Sequence, residues 1–322
     1  MTPLITQAVA LLRQGKLVAF PTETVYGLGA DACNESAIRK IFQVKKRPLD
    51  HPLIVHIGGI EKLSDFACDV SPDAMKLASA FWPGPLTMIL KKSPQVLEVV
   101  TAGQQTIGLR IPNHPIAQAL LQAFGAGIAA PSANQFTHVS PTDARAVYEE
   151  LGKEVDLILD GGICEVGLES TIIDMSANEP LILRPGMITP KMIGEVLGVE
   201  IKSRTHHFIK APGQYHLHYA PVTKTVLIPP REILQSLHRL ETHDFPVAVM
   251  SRATGEELAL SSPIHWVTMP IEASHYAHDL YHTLRMLDQK HFKQIMIEAV
   301  PDGIEWEAIR DRLLKATAER ST

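Results

Sequence analysis

Apolar positions in the first two hundred residues follow two alternating rhythms. Short runs such as KLVAFPT, PLIVHIG, LTMILKK, TIGLRIP, GIAAPSAN, DLILDGG, STIIDM and LILRPG are bounded by Gly, Pro, Asn or Asp and read as strands. Between some of them, ESAIRKIFQVKK, SPDAMKLASAFW, HPIAQALLQAF, TDARAVYEELG and TPKMIGEVLG return apolar residues every three or four positions and read as helices. Ser71-Pro72 and Thr142-Asp143 supply helix start signals. The opening MTPLITQAVALLRQGK has amphipathic helical spacing without the basic start and continuous apolar core of a signal peptide. Strands and helices mixed in this way predict a sheet covered by helices, of α/β or α+β type.

The rhythm breaks near residue 201. Seventeen of the twenty glycines lie before that point and eleven of the fifteen histidines lie after it, so the two parts differ in kind. IKSRTHHFIKAPGQYHLHYAPVTK, 201–224, has no period and contains Pro212, Gly213 and Pro221, which predicts a linker. A second alternation follows: KTVLIP, REILQSLHRL, FPVAVMS, HWVTMP, SHYAHDLYHTLRMLDQK, QIMIEAV and EWEAIRDRLLKA. The expected organisation is therefore a first domain over 1–200, a linker over 201–224 and a small α/β domain over 225–322.

Composition narrows the function. With 45% hydrophobic and 20% charged residues the chain can bury a full core. A net charge of -5 argues against bulk-charge binding of nucleic acid, although a local basic groove stays open. Cys33, Cys68 and Cys164 are scattered, which excludes a disulfide framework or a cysteine zinc site and suits a reducing cytoplasm. No run is long enough to span a membrane.

The chemistry-bearing residues gather where strands end. FPTETVYGLGAD, 20–31, places two threonines, a glutamate, a tyrosine and two glycines at the exit of an apolar strand. Lys45 and Arg47 follow a helix, Arg110 interrupts the apolar TIGLRIP, and Arg184 closes LILRPG. A charge inside an apolar strand is costly unless paired, so each arginine faces a partner or an anion. Thr22, Thr24, Ser132, Asn134, Ser140 and Glu169-Ser170-Thr171 add hydroxyls and amides suited to phosphate and carboxylate oxygens. The same residues also serve ordinary turns, caps and salt bridges. There is no phosphate-binding G-x-x-x-x-G-K-[ST] loop, no complete G-x-G-x-x-G and no G-x-S-x-G elbow. His56 ends an apolar strand and suits a ligand contact or a satisfied core. His275, His278 and His282 share a helical face that reads as solvated more readily than as a metal site, and HLHYAP, 216–221, sits in the linker.

Taken together and in this order, FPTETVYGLGAD, KKRP with HPLIVHI, FWPGPLT, GLRIPNHP, APSAN, ESTII and LRPG resemble the YrdC-like threonylcarbamoyl-AMP synthases over roughly residues 8–200. PGQYHLHYAP followed by a small α/β domain is similar to the long form of that family, with QYHLH where a lysine is usual. The resemblance implies a twisted open mixed sheet of the YrdC, double-stranded-RNA-binding-like type, joined to a Rossmann-like second domain by a linker folding over the active site. It implies synthesis of threonylcarbamoyl-AMP and pyrophosphate from L-threonine, bicarbonate and ATP. ATP would bring Mg²⁺, no tightly bound metal is expected, and the product would serve threonylcarbamoyladenosine formation on tRNA by a downstream transferase machinery in the cytoplasm. It assigns L-threonine to Thr24, His56, Arg110, Ala130 and Ser170. ATP falls to Lys45, Arg47, His51, Thr106, Ser132, Asn134, Ser140, Arg184 and Tyr219, with Lys45 and Arg47 also catalytic. The competing readings are a double-stranded RNA or tRNA-binding module and a carbamoyl- or acyl-adenylate enzyme acting on another amine.

Overall fold

The computed structural model describes residues 2–177, 179–203, 209–213, 218–255 and 263–318. Helix α1 (Pro3–Arg13) begins where the Thr2 hydroxyl accepts from the Ile5 amide, with proline in the first turn. It buries Ile5, Ala8, Val9 and Leu12, one stripe at helical spacing. Strands β1 (Val18–Phe20), β2 (Gly27–Asp31), β3 (Ile54–His56), β4 (Leu86–Lys91) and β5 (Thr106–Arg110) follow, with α2 (Glu35–Lys45), α3 (Pro72–Phe81) and the short α4 (Glu98–Thr101) between them. Then come α5 (Pro115–Phe124), β6 (Ile128–Ala129), α6 (Ala144–Leu151), β7 (Leu157–Ile158), β8 (Thr171–Asp174), β9 (Leu181–Arg184), α7 (Pro190–Leu197) and β10 (Lys202–Ser203).

These strands form one mixed sheet in the order β10-β9-β8-β4-β5-β3-β6-β2-β1-β7. Its two faces differ because strand side chains alternate. Ile107 and Leu109 of β5 join Met88, Leu90, Val55, Ile173 and Ile182 in a core closed by Ile38, Ile41 and Phe42 of α2, Leu77 of α3 and Ile193 of α7. On the opposite face Val18, Phe20 and Ile128 are covered by α1 and α5, while Ile54, Ile89, Ile172 and Leu183 pack against Ala211. Between those two apolar patches the same face carries His56 and Arg110, each two residues along its strand from Ile54 or Gly108.

Chain contacts divide the molecule into two units, Met1–Phe136 with Ser140–Gln214, and Thr137–Val139 with Tyr215–Thr322. Linker residues 209–213 fold with the first unit; 204–208 and 214–217, including QYHL of the linker motif, lie outside the described residues.

The second unit holds β11 (Lys224–Ile228), α8 (Ile233–His238), β12 (Val247–Ser251), β13 (Ile264–Thr268), α9 (Ala273–Asp288), β14 (Gln294–Glu298) and α10 (Glu307–Ala316). Its four strands are all parallel, in the order β11-β14-β12-β13. VAVM and IMI are buried continuous apolar runs, as parallel strands covered on both faces require. Among the described residues no helix is long and apolar enough to cross a membrane.

One element departs from the sequence reading. YGLGAD is not a loop beyond a strand end: Gly27–Asp31 is itself a strand, antiparallel to β1 with Phe20 opposite Gly27. The glycines are demanded by packing rather than by turning. A Cβ on Gly29 would lie 2.8 Å from both the Phe20 ring and the Ile128 side chain.

Candidate active site

The turn between β1 and β2 is built by Thr22. Its hydroxyl accepts from the amides of Thr24 and Val25, at 3.1 and 3.2 Å, and donates to the Val25 carbonyl at 2.7 Å. With that single proton committed, the 2.8 Å contact between the Thr22 and Thr24 hydroxyls must use the proton of Thr24. Thr24 in turn accepts from Arg110 Nη1 at 2.9 Å. Arg110 also donates through Nε to the Gly84 carbonyl at 3.2 Å, and its Nη2 lies 2.8 Å from Glu23 Oε1. The parallel pairing of β3 with β5 sets His56 opposite Arg110. His56 is buried edge-on to Phe20, and its Nδ1 lacks a hydrogen-bond partner among the described residues. Burial, then the Arg110 charge, lowers its pKa to about 3, so the ring is neutral at pH 7. Ala130 donates its amide to the Ile54 carbonyl at 3.0 Å and thus lines the same strand ends.

A second group comes from β8 and β9. The Ser170 hydroxyl lies 2.8 Å from the Thr87 hydroxyl of β4. Arg184 binds Ser170 through Nε and Nη2 and reaches the Pro212 carbonyl with Nη1 at 3.3 Å. Linker residues 209–213 therefore cross this face as a strap. Lys210 is held by Gln104, whose side chain pairs with both its amide and its carbonyl, and by Asp50 at 3.1 Å. Ser140 donates to Glu169 Oε1 at 2.6 Å.

The third group is the K-x-R stretch. α2 ends at Lys46 in a left-handed conformation, φ 52°, which turns the chain between Lys45 and Arg47. Lys45 Nζ donates to the Ser132 carbonyl at 2.6 Å and to the Asn134 carbonyl. Complete burial, and secondarily Arg47, holds its pKa well below the usual lysine value. Arg47 Nη2 donates to the Pro52 carbonyl at 3.0 Å, and its guanidinium faces the Phe136 ring. The His51 ring packs on that same phenylalanine, and burial followed by Arg47 lowers its pKa to about 4. The run from Ala130 to Asn134 ties the groups together, because Ser132 bridges to Gly27 of β2 while offering its carbonyl to Lys45.

Two expected residues stand apart. Thr106 shares a face with Arg110 but sits at the other end of β5, roughly 13 Å along the strand. Tyr219 is buried in the second unit, stacked on Tyr281 with Arg312 over its ring. His275 and His282 lie on the exposed face of α9 with His278 half-buried, and no His, Cys, Asp or Glu cluster able to hold a metal occurs among the described residues. Sequence reasoning passed over Glu23, Thr87 and Gln104. Glu23 had a signal, an acid in a strand exit without a polar neighbour of opposite charge; the other two had none beyond strand alternation.

The site is thus a face where Lys45, Arg47, Arg110 and Arg184 are all buried, with the buried carboxylates Glu23 and Glu169 beside them. Hydroxyls and backbone carbonyls surround them, the Ser140 hydroxyl among them held by Glu169. Such a face suits anionic oxygens.

Comparison with known proteins identifies the family. Residues 10–186 match the family model described as "Telomere recombination", and residues 188–318 match the model of the threonylcarbamoyl-AMP synthase C-terminal domain. The chain is 36% identical to the threonylcarbamoyl-AMP synthase of Pyrococcus abyssi, covering 97% of this chain and 94% of that one. It is 38% identical to that of Bacillus subtilis, over 99% and 94%. The crystal structure of P. abyssi Sua5 complexed with L-threonine superposes with a TM-score of 0.89 at 36% identity, covering 97% of this chain and 94% of that chain. Both domains, the buried cationic face and this full-length similarity establish that the chain belongs to the two-domain threonylcarbamoyl-AMP synthase family.

Proposed function

We infer that this chain makes threonylcarbamoyl-AMP and pyrophosphate from L-threonine, bicarbonate and ATP. The observation that carries the reading is the similarity, along nearly the whole chain, to a protein solved with L-threonine. The product is a carbamoyl donor for threonylcarbamoyladenosine in tRNA, which makes the downstream tRNA-modifying transferase the partner and the cytoplasm the site of action.

In this reading Arg110 pairs with the amino-acid carboxylate. Thr24, whose proton is committed to Thr22, offers a lone pair to a donor such as the substrate amine. Neutral His56, the Ala130 backbone and Ser170 close the rest of the threonine subsite. Arg47, His51, Ser132, Asn134, Ser140 and Arg184 hold ATP, which arrives with Mg²⁺ as substrate. Lys45 contributes by fixing the 132–134 carbonyls. Thr106 and Tyr219 belong to the ATP set on resemblance alone.

The chemistry then needs little from the protein beyond order and charge. The threonine ammonium and bicarbonate give a carbamate, a water and a proton. A carbamate oxygen attacks the α-phosphorus, the bond to the β-phosphate bridging oxygen breaks, and pyrophosphate leaves. Buried cations stabilise charge on the transferring group, and a dry site protects a product prone to hydrolysis. Pyrophosphate release from ATP by the purified chain tests this. It should require both L-threonine and bicarbonate. Release with a different amine would reassign the substrate, and RNA binding without release would replace the enzyme reading by the binding-module one.

A further inference from the structure

Glu23 is 3% exposed and Arg110 4%, and they touch at 2.8 Å between Glu23 Oε1 and Arg110 Nη2. This is a charge contact and not an aligned hydrogen bond: neither atom has a hydrogen-bond partner among the described residues. The other carboxylate oxygen accepts the Asn113 amide at 3.0 Å, and the Glu23 carbonyl accepts the Val166 amide at 2.7 Å. The acid is pinned from three directions, and no N–H of Arg110 Nη2 is aligned on it in hydrogen-bond geometry.

We propose that Glu23 is a positioning residue for substrate recognition, holding the Arg110 guanidinium by its charge while leaving the Nη2 donors to a substrate carboxylate. The inference rests on the functional reading above. Direct contact with substrate is a poor role for Glu23, since both carboxylate oxygens are already directed at protein groups. A negative charge beside a cation also weakens that cation's pull on any anion. What Glu23 supplies is geometry: with Gly84 and Thr24 it fixes the guanidinium plane. A pair without net charge then selects for a carboxylate that matches the fork, rather than for anions in general.

The test is steady-state pyrophosphate release by full-length Glu23→Gln and Glu23→Asp, with urea unfolding of each. Glu23→Gln keeps an acceptor for Asn113 but removes the charge. Its threonine KM should rise roughly 10- to 100-fold while the ATP KM stays within about 3-fold, since a small misplacement of a binding group costs on this scale. Glu23→Asp should fall between it and the unmodified chain, and it carries the test if Glu23→Gln does not fold. Unchanged threonine KM in the folded variants overturns the inference alone. Equal loss for both substrates together with a lowered urea midpoint also overturns it, in favour of a purely structural role. Absence of threonine-dependent release in the unmodified chain sinks the functional reading, and this inference with it.

Discussion

Arg184 Nη2 lies 2.8 Å from the Ser170 carbonyl and 3.1 Å from the Ser170 hydroxyl, so one nitrogen holds both the backbone and the side chain of the same residue. Through Nη1 the same guanidinium reaches the strap at Pro212. Ser170 belongs to the proposed threonine subsite and Arg184 to the proposed nucleotide subsite, which makes this contact the joint between the two.

Arg184→Lys tests that joint. Lysine keeps the charge but has no planar fork, so it cannot serve Ser170 and Pro212 together. We expect kcat/KM to drop about 100-fold for both substrates, because each loses its fixed neighbour. Pyrophosphate release across separate threonine and ATP titrations measures it. Wild-type values would remove Arg184 from the site.

Lys45 should be as much a stability residue as a functional one. Its ammonium group donates to two buried carbonyls, of Ser132 and Asn134, and those carbonyls lose a donor in Lys45→Met. Deprived acceptors cost about 1–3 kcal/mol each, so we expect a loss of roughly 2–6 kcal/mol in urea unfolding alongside lost turnover. Lost turnover with an unchanged midpoint would instead show that Lys45 acts mainly on the nucleotide.

Much of this was legible in the residues. LTMILK and TIGLR show the alternation that sorts Met88 and Leu109 into the helix-covered core and Thr87 and Arg110 onto the other face. Arg110 and Arg184 stand out as cations in apolar strands. What the chain order conceals is pairing between distant segments. Nothing local announces that Glu23 meets Arg110, that Gln104 clamps Lys210, or that a period-less strap lays Ala211 on Ile54 and Ile172. Gly27–Asp31 was hidden for a different reason. Two glycines in five residues argue against a strand, and only pairing with its neighbours β1 and β6 makes it one.

Gly29→Ala probes that hidden strand. The added methyl would meet the Phe20 ring and Ile128 at 2.8 Å and the Val18 carbonyl at 3.0 Å, against backbone that cannot easily move. Overpacking of this kind costs about 1–3 kcal/mol. We expect a lowered thermal midpoint, together with a weakened threonine subsite, because β2 carries the turn that presents Thr24. A midpoint equal to wild type would mean that the hairpin relaxes around the methyl.

His56 gives the fold a defined acid limb. Its pKa falls from 6.5 to about 3 on folding, first through burial and then through the Arg110 charge. Between those values the unfolded chain binds a proton that the folded chain refuses, so stability is full above pH 6.5 and declines as pH falls. At about 1.4 kcal/mol per pH unit the loss reaches roughly 2 kcal/mol by pH 5. Urea midpoints at pH 7 and pH 5 measure it, and His56→Gln should flatten the difference by about that amount because the amide does not titrate. Were the slope unchanged in His56→Gln, the acid sensitivity would belong to other groups, His51 first among them, since its pKa is lowered to about 4 by burial and Arg47.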